Sequence, residues 1–373
     1  MEIKTKNIID FFEREFSSKN REYEWDSNGI QLLVHDKKIS KIVFALDPTD
    51  DSIDYAIKMG CELLVTHHPF FFRPIKHIDF STVIGNKIVK CIRNELNLLS
   101  YHTVLDRADY SLNDFIADKL GAEVISGFTD FRQESYYKFV VYVPKGYETK
   151  IIDAIDVAGG GKIGNYSKCT FYAEGTGTFL PGENTNPFLG KVGELEEVNE
   201  YKLETIVKGK YLQKLINNVL SVHPYEEVAY DVYKLEMGEE YSLGRICRFK
   251  SEITLDEFFN MLSEKLNIEN IRYNYMFGNK KFDKFAIVTG SGASLWKDCI
   301  KHGVTVLLTG DMKYHDALDA SEHGVTIVDI GHFESEMLFM KHIADIIASR
   351  FSIETLYYEN KCKIKNWRRN NAR

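Results

Sequence analysis

Two stretches of this chain, 243 residues apart, carry one pattern. Ala56–Thr66 (AIKMGCELLVT) and Cys299–Thr309 (CIKHGVTVLLT) share Ile, Lys, Gly, Leu and Thr at five matching positions. Each copy reads as a helix end, a glycine cap and a buried strand. The same style extends around both copies. In the first third, Lys41–Leu46, Glu62–Thr66 and Leu98–Tyr101 read as strands, with helices at Asp51–Met59 and Val83–Asn94. In the last third, Phe285–Thr289, Val304–Thr309 and Thr326–Ile330 read as strands, and Ser335–Ser349 as the last helix. Strands alternating with helical segments of about 10–15 residues imply βαβ units and a parallel sheet. The expected class is α/β, with two similar α/β halves forming one discontinuous host domain.

The middle reads differently. Tyr136–Val143, Cys169–Ala173, Lys202–Val207 and Val228–Leu235 suit strands, and Lys150–Val157 and Lys210–Val219 suit helices. That order, β-α-β-β-α-β, is ferredoxin-like. Charge shifts here too: residues 129–243 hold 18 acidic and 12 basic side chains, so this stretch accounts for −6 of the chain's net −8. The expectation is an α+β domain over 129–243, inserted between host halves at 1–128 and 244–373.

Composition narrows the function classes. At about 100–200 residues per domain, 373 residues allow two or three. A net charge of −8 argues against broad nucleic-acid electrostatics. No stretch approaches the roughly 18 apolar residues of a membrane span. The N-terminus, MEIKTKNIIDFFEREF, mixes acids and bases in an amphipathic helical pattern, unlike a signal or transit peptide. The six cysteines are dispersed without a CxxC pair, which disfavours a disulfide framework or a thiolate zinc site. The expected setting is soluble and cytoplasmic. The tail KCKIKNWRRNNAR, with six Lys/Arg, reads as a solvated end.

Ligands of parallel α/β sheets collect at the carboxyl ends of strands. Three such ends carry histidine. One delivers Thr66-His67-His68-Pro69; the next ends at His102, with Asp106 four residues on; the last ends at His332, with Glu336 four residues on. Adjacent residues leaving a strand diverge, so His67 and His68 suit two neighbouring ions bridged by a carboxylate better than one shared ion. Imidazole with carboxylate suits Zn, Fe or Mn. HxxxD/E is also an ordinary helical i,i+4 pair. Thr309-Gly-Asp311-Met-Lys-Tyr-His315 is the positional mate of Thr66-His67-His68-Pro69. Asp311 and His315 are therefore candidates for supporting or proton-transfer roles, with helix N-capping an equal alternative for Asp311. His35, His77, His302, His323 and His342 lack partners in the pattern and read as surface or packing residues. Gly159-Gly-Gly-Lys162 and Gly290-Ser-Gly292 fail as nucleotide fingerprints: the first lacks the following Ser/Thr and the second the third glycine.

Several motifs together resemble one family. Trp25-Asp-Ser-Asn-Gly-Ile-Gln31, Thr66-His-His-Pro69, Tyr101-His-Thr-Val-Leu-Asp106, Thr309-Gly-Asp-Met-Lys-Tyr-His-Asp316 and Gly331-His-Phe-Glu-Ser-Glu336 occur in the order found in the Nif-three-like family. Its members are often labelled type-two homologues of GTP cyclohydrolase one. Ser27-Asn28 stands where that family more often has Asn-Val. Within the middle region, Lys162–Ser167, Glu174–Phe179, Asn186-Pro-Phe188 and Val222–Asp231 resemble the family's longer bacterial form, whose insert is similar to the PII and CutA folds. The resemblance implies a dinuclear site of two divalent metals. It carries the ligands over to His67, His68, Asp106, His332 and Glu336, with Glu336 as the bridge and His102 beside the ions. It also implies a toroidal homohexamer with the sites facing an internal cavity. The leading function is a metal-dependent hydrolase, a GTP-cyclohydrolase-like reaction being one special case, with His102, Asp311 and His315 as the catalytic candidates. The alternative is a metal-sensing or metal-storing regulatory protein whose insert reads a small-molecule effector or a partner; in either case the insert is also a candidate lid or effector-binding gate.

Overall fold

The computed structural model describes residues 3–16, 23, 25–164, 166–274 and 280–364, without the side chains of 131–134 and 238–240. The basic tail past Ile364 lies outside the described residues. The chain forms two compact units, Met1–Arg132 with Tyr241–Arg373, and Gln133–Glu240.

The first segment runs α1 (Thr5–Glu15), β1 (Gly29–Leu32), β2 (Lys41–Ala45), α2 (Asp50–Lys58), β3 (Leu63–Thr66), α3 (Val83–Arg93), β4 (Asn97–Ser100), α4 (Thr103–Asp106), α5 (Leu112–Leu120) and β5 (Glu123–Pro144). The middle holds α6 (Glu148–Ala158), β6 (Thr170–Phe179), β7 (Glu196–Lys208), α7 (Gly209–Val222) and β8 (Tyr230–Ile253). The last segment holds α8 (Leu255–Leu266), β9 (Arg272–Tyr273), β10 (Phe282–Ile287), α9 (Trp296–Lys301), β11 (Val306–Thr309), α10 (Tyr314–Glu322), β12 (Thr326–Asp329), α11 (His332–Phe351) and β13 (Glu354–Tyr358). The long strands β5 and β8 carry the chain out of the first unit and back.

The repeat seen in sequence is a repeat of structure. Gly60 and Gly303 take left-handed φ of 66° and 61°. Behind each, one backbone bond closes the helix end: Cys61 N–H to Ala56 O, and Val304 N–H to Cys299 O, both 2.9 Å. The strands that follow sit in the centre of parallel trios. In the first, β3 lies between β2 and β4; in the second, β11 lies between β10 and β12. An antiparallel edge strand then caps each trio, β1 beside β4 and β9 beside β12. The apolar runs are explained by burial on both faces. Ile42 and Phe44 enter one core and Val43 and Ala45 another. Phe285 and Ile287 likewise part from Ala286 and Val288.

Two details differ from expectation. Thr66 faces Ser100 and Thr309 faces Asp329, so the register matches His102 with Gly331, one residue short of His332. Gly331 absorbs the offset at φ 93°, where a β-carbon would also collide with the Glu334 carboxylate. Second, the C-terminus does not stay with the second sheet. β13 pairs in parallel with β2, from Glu354 opposite Lys41 to Tyr358 opposite Ala45. Phe339, Met340, Ile343 and Ile347 of α11 join the core of Ile42, Phe44, Leu63 and Val65. A half at 244–373 is therefore split, with α11 and β13 completing the first sheet.

In the second unit the strand order is β6-β7-β5-β8, with β6 and β5 both antiparallel to β7. Helices α6 and α7 bury Ile151, Ile155, Leu215 and Val219 against Phe139, Val141 and Leu203. Among the described residues no helix is long and apolar enough to cross a membrane.

Candidate metal centre

Six of the eight expected site residues meet at the carboxyl ends of β3, β4 and β12. His67 and His68 follow β3 directly, His102 follows β4, and α4 ends at Asp106. From the second sheet, His332 opens α11 and Glu336 sits one turn in, on the same helix face. The Glu336 carboxylate is the hub. It lies 3.7 Å from His67 Nε2, and 3.2 Å from both His68 Nε2 and His332 Nε2. His67, His68 and His102 hold ligand atoms within 4.8 Å of one another, and so do His68, His332 and Glu336. The two groups share His68. His102, expected beside the ions, thus belongs to the ring of imidazoles.

The other face of each imidazole is held. His67 Nδ1 bonds the Tyr101 carbonyl at 3.1 Å. His68 Nδ1 bonds Asp47, His102 Nδ1 bonds Asp26 and His332 Nδ1 bonds Asp311, each at 2.7 Å. Tying Nδ1 leaves Nε2 aimed inward, the arrangement that orients metal-ligating histidines. Asp311 therefore positions His332, and the residue before α10 that could cap it is Lys313. His315 is exposed on the first turn of α10, and the structure does not bring it to the cluster.

Asp106 is buried and accepts from Thr289 Oγ1 at 2.9 Å; Asn113 Oδ1 takes the Thr289 N–H at 2.9 Å. Burial pushes the Asp106 carboxyl up, reinforced by the nearby Glu336 charge and opposed by His67. At Glu336 burial acts the same way, but the imidazoles of His67, His332 and His68 outweigh it and hold the carboxyl well below its ordinary value. Burial alone would depress the histidines. Asp47 and Glu336 instead raise His68 to about 10, and Glu336 and Asp311 raise His332 to about 9. Carboxylates and imidazoles shifted by burial plus named charge partners make the cluster a functional-site candidate.

The residues fit a metal. His67 Nε2, His332 Nε2 and Glu336 Oε2 are buried and make no hydrogen bond, although the ion-pair distances are short. Buried polar atoms are almost always partnered. Here several lone pairs converge on one space, as a cation requires, and three or four imidazoles with two carboxylates suit a divalent transition metal.

Sequence reasoning missed the supports. Asp26 lies in the Trp25–Gln31 motif and accepts from Ser27, Asn28 and Thr103 as well as His102; burial works against its ionisation, but these bonds and the His102 charge hold its carboxyl far down. Asn28 Oδ1 takes the His102 N–H at 2.8 Å, so the unusual Ser27-Asn28 pair still serves the site. Asp47 follows β2, a strand end without the histidine that marks the others. Gly290, dismissed with its cluster as a nucleotide fingerprint, has φ 68°, and a β-carbon there would collide with Glu336. Exposed Trp25 and Phe72 also sit edge-on to His102, at 6.2 and 5.7 Å between ring centres.

Fold and site together define a class: mixed α/β proteins with paired parallel sheets and a buried imidazole–carboxylate cluster at the strand ends. Residues 3–363 match the family described as Duf34/NIF3 (NGG1p interacting factor 3), and the chain belongs to that family. Among curated relatives, the "GTP cyclohydrolase 1 type 2 homolog" of Halalkalibacterium halodurans is 40% identical over 330 residues, 88% of each chain. The protein of the same name from Bacillus subtilis is 37% identical over 336 residues, 89% of each. A solved structure of a Bacillus cereus protein related to NIF3 aligns with TM-score 0.79 and 33% identity, covering 98% of this chain and 99% of the other.

Proposed function

We propose that this chain is a metal-dependent hydrolase that binds two divalent ions, Zn, Fe or Mn, through His67, His68, Asp106, His332 and Glu336, with Glu336 between them. One observation carries the reading: the Nε2 atoms of His67, His68 and His332 converge on Glu336 while each Nδ1 is tied outward. A bound pair of such ions would supply Lewis acidity and lower the pKa of a water. The chain's own part is orientation. Asp47 and Asp311 fix His68 and His332, and Thr289 fixes Asp106. His102, held at Nδ1 by Asp26 and grouped with His67 and His68, is the candidate to pass a proton beside the ions. Exposed Trp25 and Phe72 beside it suit a planar ring on the substrate. GTP, in the name of the curated relatives, is one compound with such a ring.

A regulatory reading has its own support, a large separate cavity in the second unit. The order β-α-β-β-α-β and the strand order β6-β7-β5-β8 support a ferredoxin-like insert of the PII/CutA kind. We place the protein in the cytoplasm as a homohexamer, on its six free cysteines and on the family resemblance. The deciding experiment is turnover by metal-replete protein across nucleotides, phosphoesters and amides. Activity lost to a chelator and restored by one divalent metal supports the hydrolase. Tight binding of about two metals without turnover on any of them replaces it with the regulatory reading.

A further inference from the structure

The second unit contains a cavity of about 430 Å³, lined wholly by its own residues. The wall is built from the end of β6, the loop after it, and the turn after α7. Its size falls within the range of small-molecule sites, about 300–1,000 Å³. Its chemistry is specific. Phe179 and Phe188 flank Tyr225, with ring centres 6.4 and 6.1 Å away. Tyr225 donates its hydroxyl to Glu200 Oε1 at 2.9 Å, which fixes that carboxylate. Glu200 is only 8% exposed, on β7.

Gly177 makes room for it. A β-carbon there would collide with the Glu200 carboxylate. Gly177 has no left-handed φ, so its smallness is used for space, not for backbone freedom. Glu226 and Glu227 stand at the rim, and Asn186 N–H anchors Glu226 at 3.0 Å. Among the described residues lining the cavity there is no Lys or Arg. The nearby Lys145 and Lys202 are paired with Glu174 and Glu204. Three carboxylates and four aromatic side chains, Tyr142 with Phe179, Phe188 and Tyr225, thus line the cavity without a lining cation.

We infer that the insert binds a small organic cation there, an amine or guanidinium carrying an apolar body. Glu200 takes the charge, and the faces of Tyr225 and Phe188 take the cation and the body. Apolar walls alone would accept any greasy molecule; the fixed, nearly buried carboxylate selects the charge. A carboxylate or phosphate ligand would meet three negative groups and is excluded. The site shares no residue with the metal centre, so its test stands apart from the hydrolase reading.

The test is calorimetric titration of the full chain with phenethylammonium, using 3-phenylpropionate as the control of similar size and opposite charge. The expected result is saturable binding of the ammonium at about millimolar Kd or tighter, weaker at high salt, and none of the carboxylate. Glu200→Gln keeps the bond from Tyr225 but loses the charge, and should weaken binding at least about tenfold. Phe188→Ala, at an exposed ring, should weaken it without unfolding the unit. Should Glu200→Gln not fold, Glu227→Gln at the rim should lower the affinity in the same direction. Absence of ammonium binding overturns the inference, as does equal binding of both compounds. It is also overturned if neither compound binds and Phe188→Ala lowers the assembly's mass in light scattering, because the occupant would then be another copy of this chain.

Discussion

Replacing Glu336 with Gln tests the metal centre at its hub. Glutamine keeps the size and one acceptor oxygen, so packing is preserved and the charge alone is lost. In the native site that charge lies 3.2–3.7 Å from three Nε2 atoms. Removing one partner from a buried ionic group destabilises a fold by about 3–5 kcal/mol, and we take that as the scale of the carboxylate's lost interaction with the ions. At about 1.4 kcal/mol per decade, metal affinity should fall by roughly two to four decades. Both ions should be affected, because the two overlapping groups meet at His68, which touches Glu336. The assay is elemental analysis after dialysis against chelators of graded strength, with circular dichroism to confirm the fold. Wild type should hold about two ions per chain and the variant at most one. A folded Glu336→Gln protein that keeps both ions at unchanged affinity would refute the hub assignment.

Other outcomes follow from the same geometry. Asp47→Ala and Asp311→Ala should each weaken metal binding by about 10–100-fold through freed imidazoles, whereas His315→Ala should leave it unchanged; equal effects in a metal titration would contradict the arrangement. In metal-free protein, His68 and His332 are raised from 6.5 to about 10 and about 9. Raised groups contribute stability that is complete below the unfolded value and lost as pH climbs through the folded ones, so Tm should fall between about pH 6.5 and 10; metal-loaded protein, its imidazoles already deprotonated, should show a flatter profile in a calorimetric pH series. Excising 133–240 and joining the ends with a short Gly/Ser linker should leave a folded, metal-binding unit, since every proposed ligand lies in the other unit; an unfolded or metal-free product counts against this. Phe339→Ala and Phe285→Ala empty the cores of different sheets and should each cost about 3–5 kcal/mol in denaturant unfolding. Only Phe339→Ala should also weaken metal binding in the folded protein, because Phe339 seats the helix that carries Glu336; equal metal loss in both would show that α11 docking is irrelevant to the site.

Much of the fold was legible because it rests on local chemistry. Buried strands such as Val306–Thr309 read as unbroken apolar runs, and Gly60 and Gly303 are the glycines a left-handed helix end requires. The histidines were legible because three strand ends carry them. Residues that act through a neighbour were harder. Asp47 and Asp26 are ordinary loop aspartates in sequence, and only the fold brings them to 2.7 Å from an imidazole. The place of β13 beside β2 was also hidden, since a half-buried five-residue strand has no signal for which of two sheets it will join.

That hidden pairing explains why the ligands meet. Each half alone presents an incomplete set: His67, His68, His102 and Asp106 on the first sheet, His332 and Glu336 after the second. Between β12 and β13 lies a single 20-residue helix. His332 opens it and Glu336 sits one turn in, and its later turns bury Phe339, Ile343 and Ile347 in the first sheet's core. The apolar face of α11 therefore does two things at once: it closes the first core, and it sets the carboxylate of Glu336 against imidazoles that end a strand of that sheet. Glycines clear the path, Gly290 beneath the carboxylate and Gly331 at the helix entry, where side chains would collide with Glu336 and Glu334. The repeated βαβ pattern supplies two sets of strand ends, and the crossing of one helix from the second set to the first turns them into one buried centre.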